Sequence, residues 1–181
     1  MSYNQDLTAP RLAEWVDTLE HFDLPEWDRL PQLDLYMDQV IILLTQYLGP
    51  LVRDDEKAIT ASIINNYVRM KVMPPPVKKK YSRVHIACLV IICILKQSLS
   101  ISCIQRMLPE DHSEEAVQAL YDDFVQQYRS VSAAFIRHIQ SPGNSMLPDT
   151  GGNLVTSTAV LSTLAKDLTE YLLKNDTEEE E

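Results

Sequence analysis

The chain has 181 residues, a formal net charge of −10, 45% hydrophobic residues and only four glycines. That length supports a buried core, as one domain or as one domain with a helical appendage, and the scarcity of glycine points to an ordered chain rich in helix. The longest apolar run, Ile86 to Leu95, is too short to cross a bilayer, and no basic-then-apolar leader opens the sequence, so a cytoplasmic protein without a membrane partner is expected.

Thr8 is placed to cap a first helix with Pro10 in its opening turn, and Leu12, Trp15, Val16, Leu19 and Phe22 recur on one face. Leu24 to Pro31 reads as a connector, broken by two prolines around Trp27. From about Asp34 a second helix turns Met37, Val40, Ile41, Leu44 and Leu48 inward and ends at Gly49-Pro50. Behind the acidic pair Asp54 and Asp55, a third helix is expected from about Thr60 to Met70, with Ile63, Ile64, Tyr67 and Met70 on its apolar side. Pro74, Pro75 and Pro76 stop it, because each lacks an amide donor and restricts the residue before it. Val77 to Arg83 follows as a short basic stretch in extended form.

Helical periodicity resumes at Arg83 with Ile86, Leu89, Val90, Cys93 and Ile94, and a short helix from Ser100 to Leu108 buries Ile101, Ile104 and Leu108. Ser113 caps a long helix to about Gln140, with the stripe Val117, Leu120, Tyr121, Phe124, Tyr128, Val131, Phe135 and Ile139. After Pro142 and a Gly-rich loop to Asn153, a last helix from about Leu154 to Lys174 is expected to point Leu161, Leu164, Leu168 and Leu172 inward. Residues 1–31 thus form a helix and connector, 32–109 a central module, 110–175 a C-terminal helical region and 176–181 a solvated acidic tail.

Charge is segregated along these parts. Residues 1–55 carry −8, residues 56–108 carry +8 and residues 109–181 carry −10, and from Lys57 to Pro109 there is no Asp or Glu. A surface that meets a polyanion is the simplest cause. The order of elements in this span suits a helix-turn-helix followed by a wing. In the helix from Thr60 to Met70 the non-apolar positions are Ser62, Asn65, Asn66 and Arg69, with Thr60 and Lys71 at its two ends. Asn pairs with adenine through its amide and Arg with guanine through its fork. Lys78, Lys79, Lys80 and Arg83 suit phosphates, and Tyr81 offers either a hydroxyl to a phosphate or a ring to pack beneath the loop.

The segments Ile63-Ile64-Asn65-Asn66-Tyr67-Val68 and Val72-Met73-Pro74 resemble the recognition-helix signature of MerR-type regulators. Lys78-Lys79-Lys80-Tyr81-Ser82 is similar to the wing of that family, and Leu95 to Leu108 to its later helix. Lys71 and Ser98 stand where the family pattern has glycine, and Asn65-Asn66 where it has Arg-Tyr. The stretch from about Leu24 to Leu108 more closely resembles an uncharacterised bacterial family of unknown function with a MerR-like DNA-binding domain. The resemblance implies an all-α protein with a winged helix-turn-helix core and a C-terminal pair of helices.

The resulting expectation is a transcriptional regulator that binds double-stranded DNA in a sequence-specific manner, as a homodimer through its C-terminal helices. The alternative is a non-enzymatic helical interaction module whose basic patch docks an acidic protein. No enzyme, metal or cofactor is expected: His21, His85, His112 and His138 lack ligand spacing, and nothing resembles a nucleophile with its base. Cys88, Cys93 and Cys103 form no CxxC and read as buried reduced thiols.

Overall fold

A helix that is apolar on every side has to be covered on every side, and this requirement organises the molecule. The computed structural model describes residues 8–51, 59–140 and 154–175. Its elements, in order, are α1 (Thr8–Glu20), β1 (Leu35–Tyr36), α2 (Met37–Leu48), α3 (Ala61–Arg69), β2 (Lys80–Tyr81), α4 (Arg83–Leu95), α5 (Ile101–Met107), α6 (Glu114–Gln140) and α7 (Leu154–Asn175). The protein is therefore mostly helical, with one two-stranded antiparallel ribbon among the described residues, β1 against β2. The acidic pair Asp54-Asp55, the Gly-rich loop to Asn153 and the acidic tail lie outside the described residues.

α4 is the central helix. Every residue from His85 to Ile92 is buried, with α2 and α6 packed against it. One continuous core runs from Leu24 through Val125 and takes in the connector, the central helices and the first half of α6. Each fully buried Leu or Ile in it contributes about 1.5–3 kcal/mol. Tyr121 is wholly buried on α6, and its hydroxyl donates to the Pro25 carbonyl at 2.8 Å, so the connector is fixed to the long helix by a satisfied polar contact. Arg129 adds a fork to Asp23 at 2.6 Å through Nε and Nη2 and reaches Glu26 at 3.2 Å through Nη1. The guanidinium beside Asp23 holds its carboxyl below the usual carboxylate range. α1 packs along the distal half of α6, where Trp15 meets Phe135 edge-on at 6.0 Å and Phe22 meets Tyr128 at 5.8 Å.

Most helix bounds fall within one or two residues of those expected, and four features differ. α1 starts at Thr8 itself. The second helix begins later than Asp34, because Leu35 and Tyr36 are extended to pair with β2, and Tyr36 then caps α2 by donating its amide to Gln39 Oε1 at 2.9 Å. Met70 and Val131, expected inside, are exposed. Val117 to Tyr128 of the α6 stripe join the chain's own core and Phe135 meets Trp15, whereas Leu164, Leu168 and Leu172 of α7 point to solvent instead of inward. α7 meets α5, where Arg106 Nη1 donates to the Leu173 carbonyl at 3.0 Å. Among the described residues, no helix is long and apolar enough to cross a membrane.

Candidate nucleic-acid interface

α3 is held by its ends and its inner face. Thr60 is the N-cap, its hydroxyl accepting from the Ile63 amide at 3.3 Å, which satisfies one of the orphan donors of the first turn. Ile64 and Tyr67 are buried, leaving Ser62, Asn65 and Arg69 exposed on the outer side and Asn66 half-buried. Asn66 is already engaged: Arg69 Nη2 donates to its Oδ1 at 2.6 Å, and its amide donates to Met70 Sδ at 3.4 Å. Of the two asparagines, Asn65 is the one whose amide is free for a base edge.

The helix ends in a Schellman motif. The Val72 amide donates to the Tyr67 carbonyl and the Lys71 amide to that of Val68, both at 3.0 Å, which requires a left-handed residue at Lys71. Its φ is 57°, a conformation that glycine adopts freely and lysine does not. Val72 and Met73 are then buried, and the three prolines lead to Val77.

From Val77 the chain reverses in two residues. The Val77 amide donates to the Lys80 carbonyl at 3.1 Å and the Lys80 amide to that of Val77 at 2.9 Å, closing a hairpin with Lys78 and Lys79 at its tip. Both are left-handed, with φ of 51° and 64°, as a type I′ turn demands. Their side chains are exposed. β2 pairs Tyr81 with Leu35 and Lys80 with Tyr36, so the outward row across the ribbon is Tyr36, Lys80 and Val77. Lys80 Nζ lies 5.3 Å from the Tyr36 ring centroid, and Arg83 Cζ lies 5.5 Å from that of Trp27.

Tyr81 belongs to the core. At 2% exposure it packs beneath the hairpin, edge-on to His85 at 5.5 Å, so of its two expected roles the structure shows the ring beneath the loop and not the phosphate contact for which it was counted as a site residue. The reason is the pleat: Lys80 faces out, so its neighbour faces in. His85, buried and unassigned from sequence, anchors both ends of the hairpin. Its Nδ1 accepts from the Ser82 amide at 3.0 Å and lies 2.8 Å from the Ser82 hydroxyl, while Nε2 lies 3.3 Å from the Pro75 carbonyl. These partners define an Nε2–H tautomer, and burial pushes its pKa below the ordinary value. Tyr36 was also missed, because its extended conformation comes from pairing with Lys80 and not from a local pattern.

Of the site residues expected from sequence, the structure thus brings Ser62, Asn65, Arg69, Lys71, Lys78 and Lys79 to the surface, with Lys80 and Arg83 half-buried over aromatic rings and Thr60 spent on its cap. None of these cations is in an ion pair among the described residues. No cluster of three or more His, Cys, Asp or Glu among those residues is arranged for a metal. Cys88 is buried and Cys93 half-buried, and burial pushes both thiols up to about 12, so they stay protonated at neutral pH.

A family model described as Domain of unknown function (DUF1836) matches residues 25–124. That span nearly coincides with the continuous core from Leu24 to Val125 and includes α3, the hairpin and α4. No curated protein and no solved structure matches the chain.

Proposed function

The chain belongs to the DUF1836 family, and from that premise we propose that it is a double-stranded DNA-binding protein, a transcriptional regulator in which α2 and α3 form a helix-turn-helix and the 77–80 hairpin is its wing. α3 lies in the major groove, with Asn65 and Arg69 at base edges and Ser62 and Lys71 at the flanks, while Lys78 and Lys79 grip the neighbouring phosphates. The observation that carries this reading is the hairpin tip. Two lysines hold left-handed conformations that Asn-Gly would adopt with less strain. Strain kept in that way is a mark of sites where the side chain matters more than the turn.

The test is selection from a random duplex pool followed by a salt titration. The three cations per copy placed off the bases, Lys71, Lys78 and Lys79, predict that log K falls with log salt at a slope of about −2.7 per copy. Recovery of no duplex at low salt sinks the proposal. A second reading, docking of an acidic protein, draws support from Leu33, Tyr36 and Val77, large apolar side chains exposed at or near the ribbon. Under that reading the pool yields no enriched motif, and Tyr36→Ala and Val77→Ser weaken capture of the partner more than loss of Lys78 and Lys79 does.

A further inference from the structure

α7 is packed the wrong way round for a helix of a finished monomer. Its apolar stripe is solvent-exposed: Val160 53%, Leu164 60%, Leu168 59%, Tyr171 62% and Leu172 57%. At 3.6 residues per turn these five fall within about a third of the helix circumference. The half-buried residues of its C-terminal half are Thr169, Glu170 and Leu173, on the opposite side, where Arg106 of α5 reaches the Leu173 carbonyl and Lys166 pairs with Glu170. α7 therefore turns the side with Thr169, Glu170 and Leu173 to its own chain and Leu164, Leu168 and Leu172 to water, which marks an interaction surface.

We infer that the occupant of this surface is α7 of a second copy, in an antiparallel, two-fold contact centred on Leu168. Two features favour a second copy. First, the chain carries −10 overall, yet the helix from Leu154 to Asn175 holds Lys166 and Lys174 against Asp167 and Glu170 and is neutral, so two copies meet there without like-charge repulsion. Second, the part of the stripe from Leu164 to Leu172 is symmetric about Leu168. In an antiparallel pair Leu164 stands level with Leu172 of the second copy, Leu168 with its own counterpart, and the large Tyr171 with the small Ala165. Asp167 then lies level with Thr169 of the second copy, whereas a parallel pair sets Asp167 beside Asp167 and aligns the helix dipoles. Such a contact is isologous and closes at two chains. The self-pairing stretch from Leu164 to Leu172 is only about 12 Å long, so the dimer forms in a concentration-dependent way.

Sedimentation equilibrium of the full chain without DNA, over loadings from about one to about a hundred micromolar, tests the inference independently of the DNA reading. The expected result is a monomer–dimer equilibrium in the parent chain. Leu164→Glu with Leu168→Glu should give the 20.7 kDa monomer at all loadings with unchanged helicity, while Lys166→Glu on the far side leaves association intact. Under mild oxidation Leu168→Cys should cross-link two chains, as should the pair Leu164→Cys and Leu172→Cys, but not Leu164→Cys alone. A parent chain that stays monomeric throughout, or a dimer that survives the two glutamates, overturns the interface. Cross-linking by Leu164→Cys alone overturns the antiparallel register.

Discussion

Replacing Lys78 by Asn and Lys79 by Gly separates the hairpin's stability from its charge. A left-handed α conformation costs a non-glycine residue roughly 1–2 kcal/mol, so two lysines at φ 51° and 64° store about 2–4 kcal/mol. Asn relieves part of its share. Gly relieves all of its own, less about 0.5–1 kcal/mol for the extra freedom it gives the unfolded chain. The net expectation is a gain of about 1–2 kcal/mol, or about 2–8 °C in Tm for a chain of this size. On the selected duplex, loss of two phosphate contacts should flatten the salt slope by about 1.8 per copy. Thermal denaturation reads the first quantity and fluorescence anisotropy against salt the second. Lys78→Ala with Lys79→Ala is the matched control, since it removes the charges and leaves the strain. A double variant that is no more stable refutes the strain argument. One that is more stable yet binds with an unchanged slope refutes the placement of the hairpin on the phosphates.

Lys71→Gly should stabilise the chain by about 1 kcal/mol, because its φ of 57° closes the α3 Schellman motif; urea midpoints read this. Asn65→Ala should relax sequence preference by about 1–3 kcal/mol at one base pair in a repeated duplex selection, whereas Asn66→Ala, which frees Arg69, should shift the preferred motif. Tyr121→Phe leaves the Pro25 carbonyl without its donor and should cost about 1–2 kcal/mol, measured by chemical denaturation. Burial lowers the pKa of His85 below the ordinary 6.5, so the unfolded chain takes up the proton first. Its stabilising contribution is full above that value and is lost as pH falls through the lowered folded value; the drop in stability from about pH 7 to about pH 5 should be smaller in His85→Gln.

The helices were legible because each repeats an apolar residue at the helical period and carries its own punctuation, as at Thr60, Ser100 and Ser113, which all cap in the structure. β1 was not, because two residues are too few to show a period and the strand exists only through its partner, β2. Tyr81 shows what a missing strand conceals. Once Lys80 is known to be outward, alternation makes Tyr81 inward, but the run Lys78-Lys79-Lys80-Tyr81 carries no mark of where the turn ends. The Arg69–Asn66 bond was readable in principle, since residues three apart meet on a helix. Exposure of α7 was not, because a stripe announces that something will cover it and never says whether that is the same chain.

The acid-free span now divides by cause. From Ile86 to Leu95 acids are absent because α4 is enclosed by α2 and α6 and a carboxylate there would be buried without a partner. Several cations of the span are also taken by the fold: Lys96 donates to the Leu99 carbonyl, Arg106 to that of Leu173, Lys80 lies over Tyr36 and Arg83 over Trp27. Among the described residues, the cations of the span left exposed and tied to no backbone carbonyl or ring are Arg69, Lys71, Lys78 and Lys79, all at the C-terminal end of α3 or in the hairpin. Four charges on a protein of net −10 do not make it sticky towards polyanions in general. They make one edge approachable while the acidic remainder repels, so under the proposed DNA-binding function the same imbalance that weakens non-specific binding would fix the orientation in which a duplex is met.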